Sequence, residues 1–144
     1  MTDLTPVMTA AELNTYIQEV YPQIYDQLPG FEVLKVGSGT VTVRIVASER
    51  HIRAGGTLSG PTLFALADMG GYACALSHIG REALTVTTNL NINFMRKAEI
   101  GPLDAECRIL KLGKRLMVFD ASMKEAGKDA IVAHATGTYA IPPR

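Results

Sequence analysis

The sequence has few of the features that announce a specialised class. Its 144 residues include two cysteines, Cys74 and Cys107. That is too few for the disulfide framework of a small secreted protein and fits a reducing cytosol. Neither charge predominates: fourteen Lys and Arg balance fourteen Asp and Glu, so the net basic footprint of a nucleic-acid binder is missing. The opening MTDLTPVMTAAEL has no basic region and no apolar run, and it is not read as a signal peptide. The chain shows no internal repeat, low-complexity tract or linker. His51, His78 and His134 lack metal-ligand spacing, and no cysteine or carboxylate completes a set with them. No metal or cofactor is expected.

In bulk the chain is ordinary, 47% hydrophobic and 19% charged, which excludes disorder. At roughly 150 residues per domain, its length predicts one domain over 1–144. Between Ala54 and Gly80 the only formal charge is Asp68, so a membrane span has to be weighed. Pro61, Ser59, Thr62, Gly70 and Gly71 argue against it, as does a carboxylate costing about 2.5–3.5 kcal/mol near a bilayer centre. The segment reads as buried in protein, and the chain as soluble and cytoplasmic.

Thr9-Ala10-Ala11-Glu12 is a capping box. Leu13, Tyr16, Ile17, Val20 and Ile24 follow at helical spacing, predicting an N-terminal helix over about 9–28 that Pro22 ends or kinks. Phe31–Val36 and Val41–Ala47 read as strands joined at Gly37-Ser38-Gly39-Thr40, and a loop containing Gly55 and Gly56 runs from Ser48 to Gly60. A helix of about five turns, roughly 28 Å, then runs from Pro61 to Gly80. It is apolar on all sides, so it must be enclosed on most of them. Its Gly70-Gly71 pair would let another backbone approach closely.

Four strand patterns follow. In Leu84–Met95, Leu84, Val86, Leu90, Ile92 and Phe94 fall on one side, and Thr85, Thr87, Asn89, Asn91 and Asn93 on the other. The next strand slips phase after Ile109, which suggests a bulge. Short turns lead on through Met117–Met123 and Ile131–Ile141, and the whole reads as an antiparallel meander. The fold class predicted is α+β, a long apolar helix against a curved antiparallel sheet. One sheet covers only part of such a helix, and a second subunit is expected to cover the rest.

Asp68 stands out, because a carboxylate inside an apolar helix is costly unless paired, solvated or functional. Two readings stand open: a site carboxylate, or a surface or hydroxyl-bonded one. The segment GGTLSGPT lacks the Lys-Ser or Lys-Thr of a phosphate loop and the Gly-x-Ser-x-Gly of a nucleophile elbow. What remains is glycine-rich backbone entering a helix N-terminus, where free N–H groups at Gly60 and Thr62 favour a developing negative charge. An ordinary capped helix start reads the same way. Cys74 and Cys107 sit in apolar patterns as small core residues. Arg96 and Lys97, with Lys111, Lys114 and Arg115, lie at strand ends, where they are either solvated turn charges or phosphate-binding groups.

Taken together, RHIRAGGTLSGPTLFALAD, TTNLNINFMRKA and LKLGKRL resemble the PaaI-like acyl-CoA thioesterases of the hotdog fold, within the 4-hydroxybenzoyl-CoA thioesterase superfamily. The resemblance runs from about Gly30 to Ile141. It implies a central helix wrapped by five to six antiparallel strands, in a homodimer or dimer of dimers with composite active sites. Gly56, Gly60 and Asp68 match the family's pattern, whereas Arg53, Ser59 and Pro61 stand where it has Asn, His and Gly. The resemblance implies that Gly60 N–H polarises the thioester carbonyl, that Asp68 is general base or nucleophile, and that Thr87 helps hold the water. It assigns Arg53 and Ser59 to the substrate, an acyl-CoA whose phosphates the basic turn residues would take. The departures at Arg53 and Ser59 motivate the alternative, a hotdog module that binds acyl-CoA with little or no turnover.

Overall fold

A computed structural model describes residues 4–143. Helix α1 (Ala10–Val20) begins at the Thr9 capping box, in which Glu12 N–H donates to Thr9 Oγ1 at 3.1 Å and Thr9 N–H to Glu12 Oε1 at 2.9 Å. It stops short of the expected 28. The chain breaks at Tyr21-Pro22 and resumes as the one-turn α2 (Ile24–Gln27), because proline has no N–H to continue the ladder. Strands β1 (Glu32–Gly37) and β2 (Thr40–Ala47) form the expected hairpin. A short 3₁₀ turn (Glu49–His51) leads to α3 (Gly60–Ile79), which ends at Gly80 with φ of 97°. Then come β3 (Val86–Phe94), β4 (Gly101–Leu112), β5 (Leu116–Glu125) and β6 (Ile131–Ala140).

The six strands form one antiparallel sheet in the order β1-β2-β4-β5-β6-β3, with α3 against its concave face. The expected meander holds only for β4-β5-β6. β3 pairs with β6 at the far edge instead, and residues 95–100 carry the chain back across the end of the sheet. That crossing segment is fastened by Met95 and Arg96 N–H to Val132 O, at 2.8 and 3.1 Å, and by Leu58 N–H to Ala98 O at 3.0 Å. Hydrophobic periodicity specifies which residues a strand buries, not which strand lies beside it, so this crossover left no mark in the pattern. The bulge expected near Ile109 is present, with Leu110 as the extra residue.

A second bulge, unforeseen, lies in β3: Thr87 pairs with Tyr139 and Asn89 with Thr138, leaving Thr88 unpaired. One inserted residue reverses the alternation beyond it. Thr85 and Thr87 therefore face the helix together with Leu90, Ile92 and Phe94. Leu84 and Val86, expected on the buried side, are 78% and 55% exposed.

The core fills the space between sheet and helix with Val43, Ile45, Leu66, Leu76, Phe119 and Met123, among others. The Gly70-Gly71 pair admits side chains of this chain's own sheet rather than another backbone. A Cβ at Gly70 would lie 2.5 Å from Cys107 Sγ, and one at Gly71 would lie 2.3 Å from the Phe119 ring. α1 also covers part of α3 that a second subunit was expected to cover. Leu13 and Ile17 are fully buried, and Asn14 grips the edge of β1 through both Val33 backbone groups at 2.8 and 3.0 Å. Pro61, Phe64, Ala65 and Asp68, at helical spacing on one stripe of α3, stay exposed or half-buried. Among the described residues no helix is long and apolar enough to cross a membrane.

Candidate active site

Asp68 lies two turns into α3 on that open stripe, opposite the start of β3. Its Oδ1 accepts from Thr87 Oγ1 at 2.5 Å and from Tyr139 OH at 2.8 Å, and the same phenol reaches the Asp68 carbonyl. Oδ2 has no partner among the described residues. One carboxylate oxygen is thus anchored while the other is left to the cleft. Burial, with the Asp68 charge beside it, pushes the Tyr139 phenol well above its usual range, so the ring arrives as a neutral donor. Of these partners the sequence singled out Thr87. Tyr139 looked like one more inward residue of β6, and nothing in its alternation marks the hydroxyl that reaches the helix.

The cleft at Asp68 measures about 330 Å³. Met69 and Tyr72 of α3, Thr85 and Thr87 of the β3 arm, Tyr139 of β6 and the end of α1 wall it. Tyr72 OH donates to Ala83 O at 3.0 Å, fixing the ring across the cleft. Burial and the neighbouring Tyr16 and Tyr21 hydroxyls push its pKa up to about 12. Thr85 is 3% exposed, and its hydroxyl has no partner among the described residues.

Gly60 opens α3 at the other end of the stripe. Ser59 is its N-cap: Ser59 Oγ takes the Thr62 N–H at 3.3 Å and lies 2.8 Å from Thr62 Oγ1. Leu63 N–H goes to Ser59 O, and Pro61 has none. This capping spends both Ser59 and the Thr62 donor, leaving the Gly60 N–H of the first turn without an acceptor among the described residues. A Cβ at Gly60 would sit 3.2 Å from Phe94 Cζ. Around Gly60 a second hollow of about 400 Å³ gathers Arg53, Thr57, Phe94, Arg96 and Lys97. The loop holding Arg53 is closed by Arg53 N–H to Thr57 O at 2.8 Å and Ser59 N–H to His51 O at 2.8 Å.

The structure divides the predicted basic residues into two groups. Arg53, Arg96 and Lys97 stand at the Gly60 end of the sheet. Lys111, Lys114 and Arg115 stand near the Asp68 end, where Leu116 and Val86 both pair with Ala140. Along β3 those ends are about 26 Å apart. The histidines lie outside both hollows. His134 bonds Asp120 on the outer sheet face, while His51 and His78 are buried in backbone contacts. Cys74 and Cys107 are buried, and burial pushes the Cys74 thiol up to about 12. No group of three or more His, Cys, Asp or Glu side chains is assembled for a metal among the described residues.

Residues 55–131 match the Thioesterase superfamily. A protein of Saccharolobus solfataricus, provisionally named an esterase, is 30% identical over 96% of this chain and 89% of its own length. A crystal structure from Silicibacter sp. TM1040, provisionally named a thioesterase, superposes with a TM-score of 0.87 at 46% identity, covering 97% of this chain and 96% of the other. The Escherichia coli PaaI protein of the phenylacetic acid degradation operon shares the fold, with a TM-score of 0.77 at 19% identity over 92% and 95% of the two chains.

Proposed function

The chain belongs to the thioesterase superfamily, a PaaI-like protein with the hotdog fold, and from that premise we propose that it hydrolyses acyl-CoA thioesters at Asp68. The observation that carries this reading is the half-anchored carboxylate, Oδ1 held by two hydroxyls and Oδ2 facing the cleft. Oδ2 takes a proton from water as the water attacks the thioester carbon, or attacks that carbon itself. In the first route, the carbonyl electrons move onto oxygen, and Gly60 N–H donates a hydrogen bond to the resulting oxyanion. The tetrahedral intermediate then collapses, the C–S bond breaks, and the CoA thiolate leaves with the proton that Asp68 holds. The Thr87 hydrogen is committed to Asp68, so its hydroxyl meets the water only as an acceptor.

Gly60 and Asp68 are eight residues apart on one helix, roughly 12 Å, too far for one helix to serve both ends of one reaction. In this reading the chain is one hotdog domain, and two copies pair so that the Gly60 of one faces the Asp68 of the other. The exposed Phe64, Val86 and Phe94 beside the open stripe support that pairing. It would also bring the Arg53, Arg96 and Lys97 group of one copy to the Asp68 end of its partner, where the CoA phosphates need cations.

Release of free thiol from a panel of acyl-CoAs tests the proposal. Asp68→Ala should lower kcat about 10²–10⁴-fold, with little change in Tm because Tyr139 keeps the Asp68 carbonyl as acceptor. Near-wild-type turnover by the folded variant would remove Asp68 from the mechanism. The capping role of Ser59 favours one alternative, binding without turnover, since the hydroxyl standing in for the family's His is already spent. Tight binding of acyl-CoA with no thiol release would select it.

A further inference from the structure

The wall of the Asp68 cleft is not built wholly from the matched superfamily region. Residues 55–131 cover α3, β3, β4 and β5. Val20 and Tyr21 line the same cleft from the C-terminal end of α1, outside that region. Their position is well secured. Pro22 stops the helix there, Tyr21 N–H closes the last turn on Ile17 O at 2.8 Å, and Ile17 is fully buried beneath. At the other end of the helix, Arg81 reaches Glu12 at 3.8 Å and stacks over the Tyr16 ring at 5.8 Å. This ties α1 to the turn that carries Ala83, the acceptor of Tyr72. Tyr72 itself stands between the two sides, lining the cleft from α3 with Tyr21 near enough to bear on its ionisation. The apolar side chain at the helix end, Val20, is 38% exposed. It is not among the core residues, and it lines the same cleft as Asp68.

We infer that Val20 and Tyr21 set the length of the acyl group this site accepts. α1 acts as an end-stop on a helix separate from the one that carries Asp68. This inference rests on the acyl-CoA reading of the same cleft. Until the chain meets the stop, each added methylene is buried and gains about 0.8 kcal/mol, which is about fourfold in kcat/KM. At the stop the gain ends, because further carbons must leave the cleft or displace α1.

The experiment measures kcat/KM for straight-chain acyl-CoAs lengthened two carbons at a time, in wild type, Val20→Ala and Val20→Phe. Calorimetric Kd values for the same esters are taken with Asp68→Asn in each background. A partly exposed site at a helix end tolerates both substitutions, and circular dichroism checks it. The length at which the gain stops should move longer by about two carbons in Val20→Ala and shorter in Val20→Phe, changing the ratio between neighbouring esters about fifteenfold, roughly two methylene contributions. A break that stays put in both variants, or rates that scale equally at every length, would overturn the end-stop while leaving hydrolysis intact. Binding without thiol release in wild type would overturn hydrolysis, and the break in Kd would still decide the end-stop. Neither binding nor release of any ester would overturn both.

Discussion

At Asp68 the chain places a charged group in a helix that is otherwise apolar and offsets the cost with two hydroxyl donors on one oxygen. Hydrogen bonds to an ionised group contribute about 1.5–3 kcal/mol each. Here they also fix the rotamer, so the free oxygen points in one direction. Tyr139 is then a positioning residue, and Tyr139→Phe separates that role from a packing role because the ring stays. We expect kcat to fall about tenfold with KM unchanged, and Tm to drop by about 5–10 °C, a loss of about 1.5–3 kcal/mol for a chain of this size. Thr87→Val should act alike. The double variant should depart from additivity by at least 0.5 kcal/mol, since both donors share one acceptor. Unchanged kcat in a folded Tyr139→Phe protein would detach the phenol from the site.

At the scale of elements, α3 is held at its C-terminal end by a contact that titrates. Its last turn carries His78, whose Nε2 accepts the Gly39 N–H of the β1–β2 turn at 2.9 Å. An accepting Nε2 requires the neutral ring, its proton on Nδ1 near Cys74 O at 3.1 Å. Burial lowers the His78 pKa despite the carbonyls of Cys74 and Gly37, which pull the other way. The unfolded chain therefore binds this proton more readily than the native one. The stability contributed by neutral His78 is complete above the unfolded value near 6.5 and is lost as pH falls through it towards the folded value. Thermal melts from pH 8 to pH 5 should show wild type losing more Tm than His78→Gln, whose amide does not titrate. Parallel curves would mean that the ring is not the titrating group. Much of this level was legible in the sequence: the Thr9 cap, the limits of α3, the Ile109 bulge and the β1–β2 hairpin all follow from local pattern. The Thr88 bulge was not legible, because Thr85, Thr87 and Thr88 fit either face of a strand equally well. Nor was the pairing of β3 with β6, since partner choice depends on the path of residues 95–100 across the sheet. Asp68 and Thr87 could each be found by chemistry or resemblance, but Tyr139 meets them only through that long-range pairing, and Val20 only through the placement of α1 beside the cleft.

For the whole molecule, the open question is whether the two half-sites work together across a pair of chains. One chain carries a free helix N-terminus at Gly60 and a half-anchored carboxylate at Asp68, roughly 12 Å apart along the axis. A carbonyl oxygen and its attacking water lie within about 3–3.5 Å in a reactive pose. In the proposed pairing an antiparallel partner would satisfy that distance twice, once at each end of the open stripe. Complementation tests the arrangement with Asp68→Ala and Gly60→Val, the second placing a branched side chain where even a Cβ lies 3.2 Å from Phe94. Each variant alone should be inactive. On co-expression, random pairing makes half the dimers mixed. One of the two sites in each mixed dimer joins an intact Gly60 to an intact Asp68, so about a quarter of all sites should turn over. If each site lay within one chain, every site would keep one lesion and the mixture would stay dead. Differently tagged copies, purified through both tags, raise the expected fraction to one half, and a dead preparation of such mixed dimers would defeat the shared site.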